Sequence, residues 1–198
     1  ARAPRSTDAP RPRCENGPPQ GFCGRFSFGA QYADAPPRMN VFLVGPMGSG
    51  KSAVGRQLAQ RLALEFIDSD DEIESRTGVD ISYIFEREGE AGFRQREAEV
   101  IDVITRRDGV LVSTGGGAVL DAGTRERLRA RGHVVYLRTS VDQQLARTRR
   151  SNDRPLLNND DPRGTLERLF EQRAPLYTEV AEIVVDTDGR KVKAVVDQ

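Results

Sequence analysis

An apolar run, Val41-Phe42-Leu43-Val44, leads into Gly45-Pro46-Met47-Gly48-Ser49-Gly50-Lys51-Ser52, and helix-patterned sequence follows at once. This G-x-x-x-x-G-K-[ST] spacing, between a buried strand and a helix, narrows the possible folds more than any other feature of the chain. Its glycines let the backbone wrap so that N–H groups point inward at an anion. The N-terminus of the helix that follows adds partial positive charge. Gly48, Ser49, Gly50, Lys51, Ser52 and Ala53 form the expected phosphate-binding set. Lys51 would reach the β- and γ-phosphates, and the Ser52 hydroxyl would ligate Mg²⁺. The motif calls for a nucleoside triphosphate with magnesium and leaves the phosphate acceptor open.

The rest of the body alternates strand and helix patterns. Strands are expected at 40–45, 64–68, 109–114, 133–139 and 181–187. Val54, Leu58 and Leu62 give the first helix its apolar face. A short helix opens with Ser69 and Glu72 at capping-box spacing and ends at Gly78. Helices are expected over about 80–88, 90–107, 121–131, 141–149 and 163–173, and Pro175 should break or kink the last of them. The alternation implies an α/β fold, a mostly parallel sheet covered by helices on both faces. His133, the only histidine, precedes a strand and reads as a surface residue.

Residues 1–38 differ in kind. They hold seven of the eleven prolines and both cysteines, and no Leu, Ile, Val or Met. Such a segment cannot bury enough surface to offset chain entropy, so a disordered tail is expected, with Met39 as the natural start. An organelle transit peptide is the alternative, and the proline load argues against it. The body, 39–198, has no cysteine, which suits a reducing, cytoplasmic setting. Charge is balanced at 30 basic and 30 acidic residues, without the net basic stripe of a nucleic-acid binder. No apolar run approaches transmembrane length.

Other segments bear on the acceptor. Asp68 and Asp70 close the second strand two residues apart, and in extended chain both would face the phosphate site. One could hold a magnesium-bound water, and the other could bind a hydroxyl or take its proton. Phe93, Val100, Ile101 and Ile104 form an apolar helix face, with Arg94 and Glu97 beside it. Arg173 occupies an apolar position of its helix and needs a partner, either a buried acid or a ligand carboxylate. The polar stretch at 149–162 carries Arg154, placed where a closing lid could bring it onto transferring phosphate. The strand Val110-Leu111-Val112 ends not in a metal-holding carboxylate but in Ser113-Thr114-Gly115-Gly116-Gly117.

Taken in order, "FLVGPMGSGKS", "FIDSD", "GFRQRE", "STGGGAV", "RPLL" and "RAPLY" resemble the shikimate kinase family of the bacterial type across nearly the whole body. The resemblance implies a three-layer α/β/α P-loop kinase with a five-stranded parallel sheet, a substrate-binding helical region and a lid. It implies ATP-dependent phosphorylation of the 3-hydroxyl of shikimate by a monomer, with no nucleic-acid or membrane partner. It gives Asp70 the shikimate hydroxyls and a possible base role. Arg94 and Arg173 receive the carboxylate, with Glu97 orienting Arg94. Gly115, Gly116 and Gly117 contact γ-phosphate and shikimate, and Asp68 joins the magnesium shell through water. Lys51, Asp70 and Arg154 become the catalytic set, and Arg147 stacks on adenine. The loop Val185–Lys191 would flank the adenine, although the proline that many members carry shortly after it is absent. Another small-molecule kinase, such as a gluconate kinase, and a non-catalytic nucleotide-binding protein on the same fold are the alternatives. The arginines of "GFRQRE" and "RAPLY", together with the strand-end aspartate, favour shikimate.

Overall fold

The computed structural model describes residues 39–148 and 160–198. The expected N-terminal tail and most of the lid stretch, Arg154 included, lie outside the described residues. Five strands form one parallel sheet: β1 (Val41–Val44), β2 (Glu65–Asp68), β3 (Val110–Ser113), β4 (His133–Arg138) and β5 (Ile183–Asp186), in the spatial order β2-β3-β1-β4-β5. The helices are α1 (Lys51–Leu62), α2 (Ser69–Thr77), α3 (Ile81–Ile104), α4 (Ala122–Arg131), α5 (Val141–Thr148), α6 (Pro162–Val180) and α7 (Val192–Val196), with a 3₁₀ turn at Ala118–Leu120.

The connection leaving β1 runs to one edge of the sheet, and every later connection runs back across it. Right-handed crossovers therefore put α1 on one face and α2 to α6 on the other. The strands sort their side chains to match. Leu43, Leu111, Leu137 and Val185 pack with Val54 and Ala59 of α1 and with Val195 of α7. Phe42, Val44, Val110, Val112, Val134 and Tyr136 pack with Phe93, Val100, Ile101 and Ile104 of α3, Leu128 of α4 and Tyr177 of α6. Because the strands are parallel, the C-terminal ends of β2, β3 and β1 lie side by side. Asp68 pairs with Ser113, and Ser113 with Leu43. Ligands of open α/β sheets bind at this edge, where the winding direction reverses.

Four expectations need correction. Asp68, not Ser69, is the N-cap of α2, and its Oδ1 accepts from Asp70 N at 3.1 Å. Asp70 is therefore helical, and the strand geometry invoked for Asp68 and Asp70 does not apply. The buried face of α1 is rotated from the expected stripe. Leu62 is 41% exposed, whereas Gly55 and Ala59 are buried. A Cβ on Gly55 would lie 2.6 Å from the Phe66 ring, so the helix sits directly on the sheet there. Helix α6 runs through Pro175 to Val180. Pro175 and Glu171 are exposed, so water can hydrate the Glu171 carbonyl that loses its donor, while Arg173, Tyr177 and Val180 stay buried. The expected break between 80–88 and 90–107 does occur, at Gly89, whose φ of 69° suits glycine, although the two segments pack as one kinked helix.

Candidate active site

The phosphate loop turns through Gly48 (φ 74°) and Gly50 (φ 93°), which leads into α1. Lys51 is buried at the helix start. Its Nζ donates to Gly45 O at 2.8 Å and Pro46 O at 2.9 Å, which holds the ammonium inside the loop. Ser52 Oγ donates to Asp68 Oδ2 at 2.6 Å. A hydroxyl and a carboxylate meet there as hard oxygen ligands. Mg²⁺ favours such a set, taking one or two protein oxygens and filling the remainder with phosphate and water. The residues present fit a magnesium ion. Among the described residues no group of three or more His, Cys, Asp or Glu side chains forms a metal cage.

Arg147 of α5 ties the loop to the far side of the sheet. Its Nη1 donates to Gly48 O at 2.9 Å and its Nη2 to Thr187 O at 3.1 Å. Beyond Thr187, the Asp188 carboxylate accepts from Thr139 Oγ1 at 2.5 Å and Ser140 N at 3.1 Å. The loop after β5, expected at the adenine, is thus held to the ends of both β4 and α5. Neither Thr187 nor Asp188 was expected to do this, since their partners are about 40 or more residues away along the chain.

The glycine turn lies between the phosphate loop and the acidic helices. None of its three glycines has positive φ, so clearance rather than conformation accounts for them. A Cβ on Gly115 would stand 2.1 Å from Glu97 Oε1 and 3.0 Å from Asp70 Oδ1. On Gly117 it would stand 2.2 Å from Arg94 Cζ. On Gly116 it would meet the loop backbone, 3.4 Å from Met47 N. The Gly115 N–H already donates to Ser69 Oγ at 2.9 Å, so that group is engaged within the protein. Ser69 thereby becomes a buried strut of the turn, a role masked in the sequence by its capping-type spacing.

Arg94 Nη1 pairs with Glu97 Oε2 at 2.6 Å, and Arg94 Nη2 with Glu90 Oε1 at 3.0 Å. Glu97 is 2% exposed, and its Oε1 has no hydrogen-bond partner among the described residues. Burial raises the Glu97 pKa against the lowering pull of Arg94 and Arg173. Arg173 is also buried, and its Nε has no partner among the described residues. Burial lowers its pKa, and the Arg94 charge adds to that lowering. Asp70 is pushed up to about 7 by burial and by the Glu97 and Asp68 carboxylates, with Lys51 pulling the other way. The fold therefore gathers Lys51, Ser52, Asp68, Asp70, Arg94, Glu97, Arg173 and the three glycines around one sheet edge. His133 lies at the opposite end, exposed and paired with Glu182 at 2.7 Å.

Comparison with known proteins agrees with the fold. The shikimate kinase family model matches residues 47–198. A shikimate kinase of Shewanella amazonensis is 56% identical over 161 residues, which cover 81% of this chain and 94% of that protein. The solved shikimate kinase of Acinetobacter baumannii in complex with shikimate superposes with a TM-score of 0.79 at 48% identity, covering 81% of this chain and 89% of that one. That of Bacteroides thetaiotaomicron gives 0.74 at 32% identity, covering 80% and 94%. The alternatives of a gluconate kinase or a non-catalytic relative are not favoured, and the chain belongs to the shikimate kinase family.

Proposed function

We propose that the chain transfers the γ-phosphate of ATP to the 3-hydroxyl of shikimate, giving shikimate 3-phosphate and ADP. The observation that carries this reading is the convergence of Arg94 and Arg173 beside the glycine turn. Glu97 offsets part of the repulsion between these guanidiniums, but Arg173 is buried and its Nε has no hydrogen-bond partner among the described residues, which leaves room for a second anion. A small acceptor bearing a carboxylate satisfies both and places its hydroxyls over Asp70. Glu97, held by Arg94, fixes the orientation of that guanidinium.

Phosphoryl transfer requires alignment and charge neutralisation more than covalent help. In this reading the loop N–H groups and Lys51 take the phosphates, Lys51 exchanging loop carbonyls for phosphate oxygens. Ser52 and Asp68 would hold Mg²⁺, Asp68 through water, and the ion when bound offsets phosphate charge. Asp70 accepts the 3-hydroxyl proton as that oxygen bonds to phosphorus. A carboxylate held near 7 retains enough basicity for this at neutral pH. Arg147 flanks the adenine, and the resemblance gives Arg154 the role of neutralising charge on the transferred phosphate. No helix among the described residues is long and apolar enough to cross a membrane. A reducing, cytoplasmic setting accords with the cysteine-free body, 39–198.

The test is ADP release measured with shikimate, gluconate and nucleoside monophosphates in parallel. Turnover with shikimate alone is expected, and it should be lost in Arg94→Ala while ATP binding survives. Wild-type turnover in that variant would overturn the carboxylate assignment.

A further inference from the structure

One side chain of the "RAPLY" segment has no part in the reading above. Tyr177 is fully buried, and its hydroxyl donates to Gly116 O at 2.5 Å. Arg173, one helical turn earlier on the same buried face, lies beside that hydroxyl, close enough for charge and dipole to act on each other. Chemistry fixes how the hydroxyl is oriented. A guanidinium can only donate, a carbonyl can only accept, and a phenol has one proton. The proton therefore goes to Gly116 O, which leaves the phenol lone pairs to the neighbouring Arg173 charge. Burial pushes the phenol pKa up, which keeps that proton in place across the neutral range. The continuity of α6 through Pro175 is what keeps Arg173 and Tyr177 stacked one turn apart.

Gly116 is the glycine that abuts the phosphate loop. Arg173, Tyr177 and Gly116 therefore follow one another toward the backbone that borders the phosphates. We propose that Tyr177 is a positioning residue that couples the acceptor-carboxylate arginine to the glycine turn, so that one hydroxyl sets both the reach of Arg173 and the seat of Gly116 against the phosphate loop. The proposal rests on the reading of Arg173 as a carboxylate ligand. A tyrosine needed only for packing would also be buried and stacked. Tyr136 shows that case: its ring stacks on Tyr177 with centroids 5.0 Å apart, yet its buried hydroxyl has no hydrogen-bond partner among the described residues.

The experiment compares Tyr177→Phe, Tyr136→Phe, Arg173→Lys and the Tyr177→Phe/Arg173→Lys double variant in the full chain. Shikimate and ATP are varied separately, and thermal stability is recorded for each protein. Phenylalanine keeps the ring and the stacking, so the first variant tests the oxygen alone. Tyr177→Phe should raise the shikimate KM roughly tenfold and lower kcat, with the ATP KM unchanged. Tyr136→Phe should leave both KM values at wild type. The double variant should raise the shikimate KM by less than the product of the single effects, because both act through one contact. A Tyr177→Phe enzyme that is less stable but has an unchanged shikimate KM makes Tyr177 a packing residue and overturns the coupling. Multiplicative effects in the double variant overturn it as well. If Arg173→Lys leaves the shikimate KM unchanged, the carboxylate reading fails and the coupling fails with it. If Arg173→Lys raises it and Tyr177→Phe does not, only the coupling fails.

Discussion

Adding a single methyl at Gly117 should damage acceptor binding and spare ATP. In Gly117→Ala the new carbon would stand 2.2 Å from Arg94 Cζ and 2.3 Å from both terminal nitrogens. Carbon atoms in contact settle at about 3.5–4.0 Å, so the guanidinium must retreat by roughly 1.3 Å or more. The 2.6 Å pair with Glu97 cannot survive that shift. Glu97 would be left 2% exposed with neither oxygen bonded to Arg94, and its Oε1 already lacks a partner. A charge stranded in this way costs about 3–5 kcal/mol, but burial has already raised the Glu97 pKa, and taking a proton relieves part of the cost. The net loss of folding stability should be about 1–3 kcal/mol, or several degrees of Tm for a chain of this size. A charged hydrogen bond to the acceptor carboxylate is worth a similar amount, so the shikimate KM should rise about ten- to a hundredfold. The ATP KM should stay at wild type, because Lys51 and Ser52 are untouched. Coupled ADP release with each substrate varied in turn, alongside a thermal melt, reads both effects. A shikimate KM within twofold of wild type would refute the idea that Gly117 exists to clear Arg94.

Other substitutions separate the remaining roles. Gly116→Ala should fold normally, since its methyl meets the loop backbone at ordinary contact distances, yet lose most of its kcat; full activity would show that the gap beside the phosphate loop is not needed. Asp70→Asn should abolish turnover and raise stability. The Asp70 pKa is raised from 3.8 to about 7 on folding, so its ionisation weakens the fold progressively from pH 3.8 up through about 7. The stability gain of the asparagine variant should therefore be largest above pH 7 and vanish towards pH 4, and equal melting curves at pH 8 would contradict the burial argument. Arg147→Ala should raise the ATP KM about tenfold and spare the shikimate KM, because it frees both Gly48 and the Thr187 loop. Deleting residues 1–38 should leave melting temperature and kinetics unchanged, and a loss of either would make that segment part of the fold.

Most of the architecture was legible because it follows from periodicity. Buried parallel strands read as short apolar runs, and Gly78 and Gly89 mark helix boundaries by local chemistry. The errors arose where a distant partner overrides a local rule. Pro175 is a helix breaker in isolation, but the burial of Arg173, Tyr177 and Val180 on one face of α6 outweighs one missing hydrogen bond. The face of α1 was misjudged because Gly55 presents no side chain to a periodicity count, yet it lies deepest against the sheet. Asp68 rather than Ser69 caps α2 because capping depends on where β2 ends, to a single residue. The functional residues with no signature, Ser69, Tyr177 and Thr187, bond to groups 46, 61 and 40 residues away. Motif spacing could single out the segments that hold them but not those bonds.

The strand end that lacks a carboxylate follows from the same electrostatics. Ser113 pairs with Asp68 on one side and with Leu43, next to the phosphate loop, on the other. A further acid just beyond Ser113 would join Asp68, Asp70 and Glu97, where burial and like charge have already pushed Asp70 up to about 7. It would raise Asp70 further and make a base that is protonated at neutral pH, while filling the space that Gly115 and Gly117 keep open for Glu97 and Arg94. In the proposed reading the metal-side carboxylate is instead Asp68, one strand over, within 2.6 Å of Ser52 Oγ. The glycines thus let a single sheet edge hold the acidic Asp70 and Glu97 and the basic Arg94 side by side, with the phosphate loop in contact beside them, as the proposed carboxylate-bearing acceptor requires.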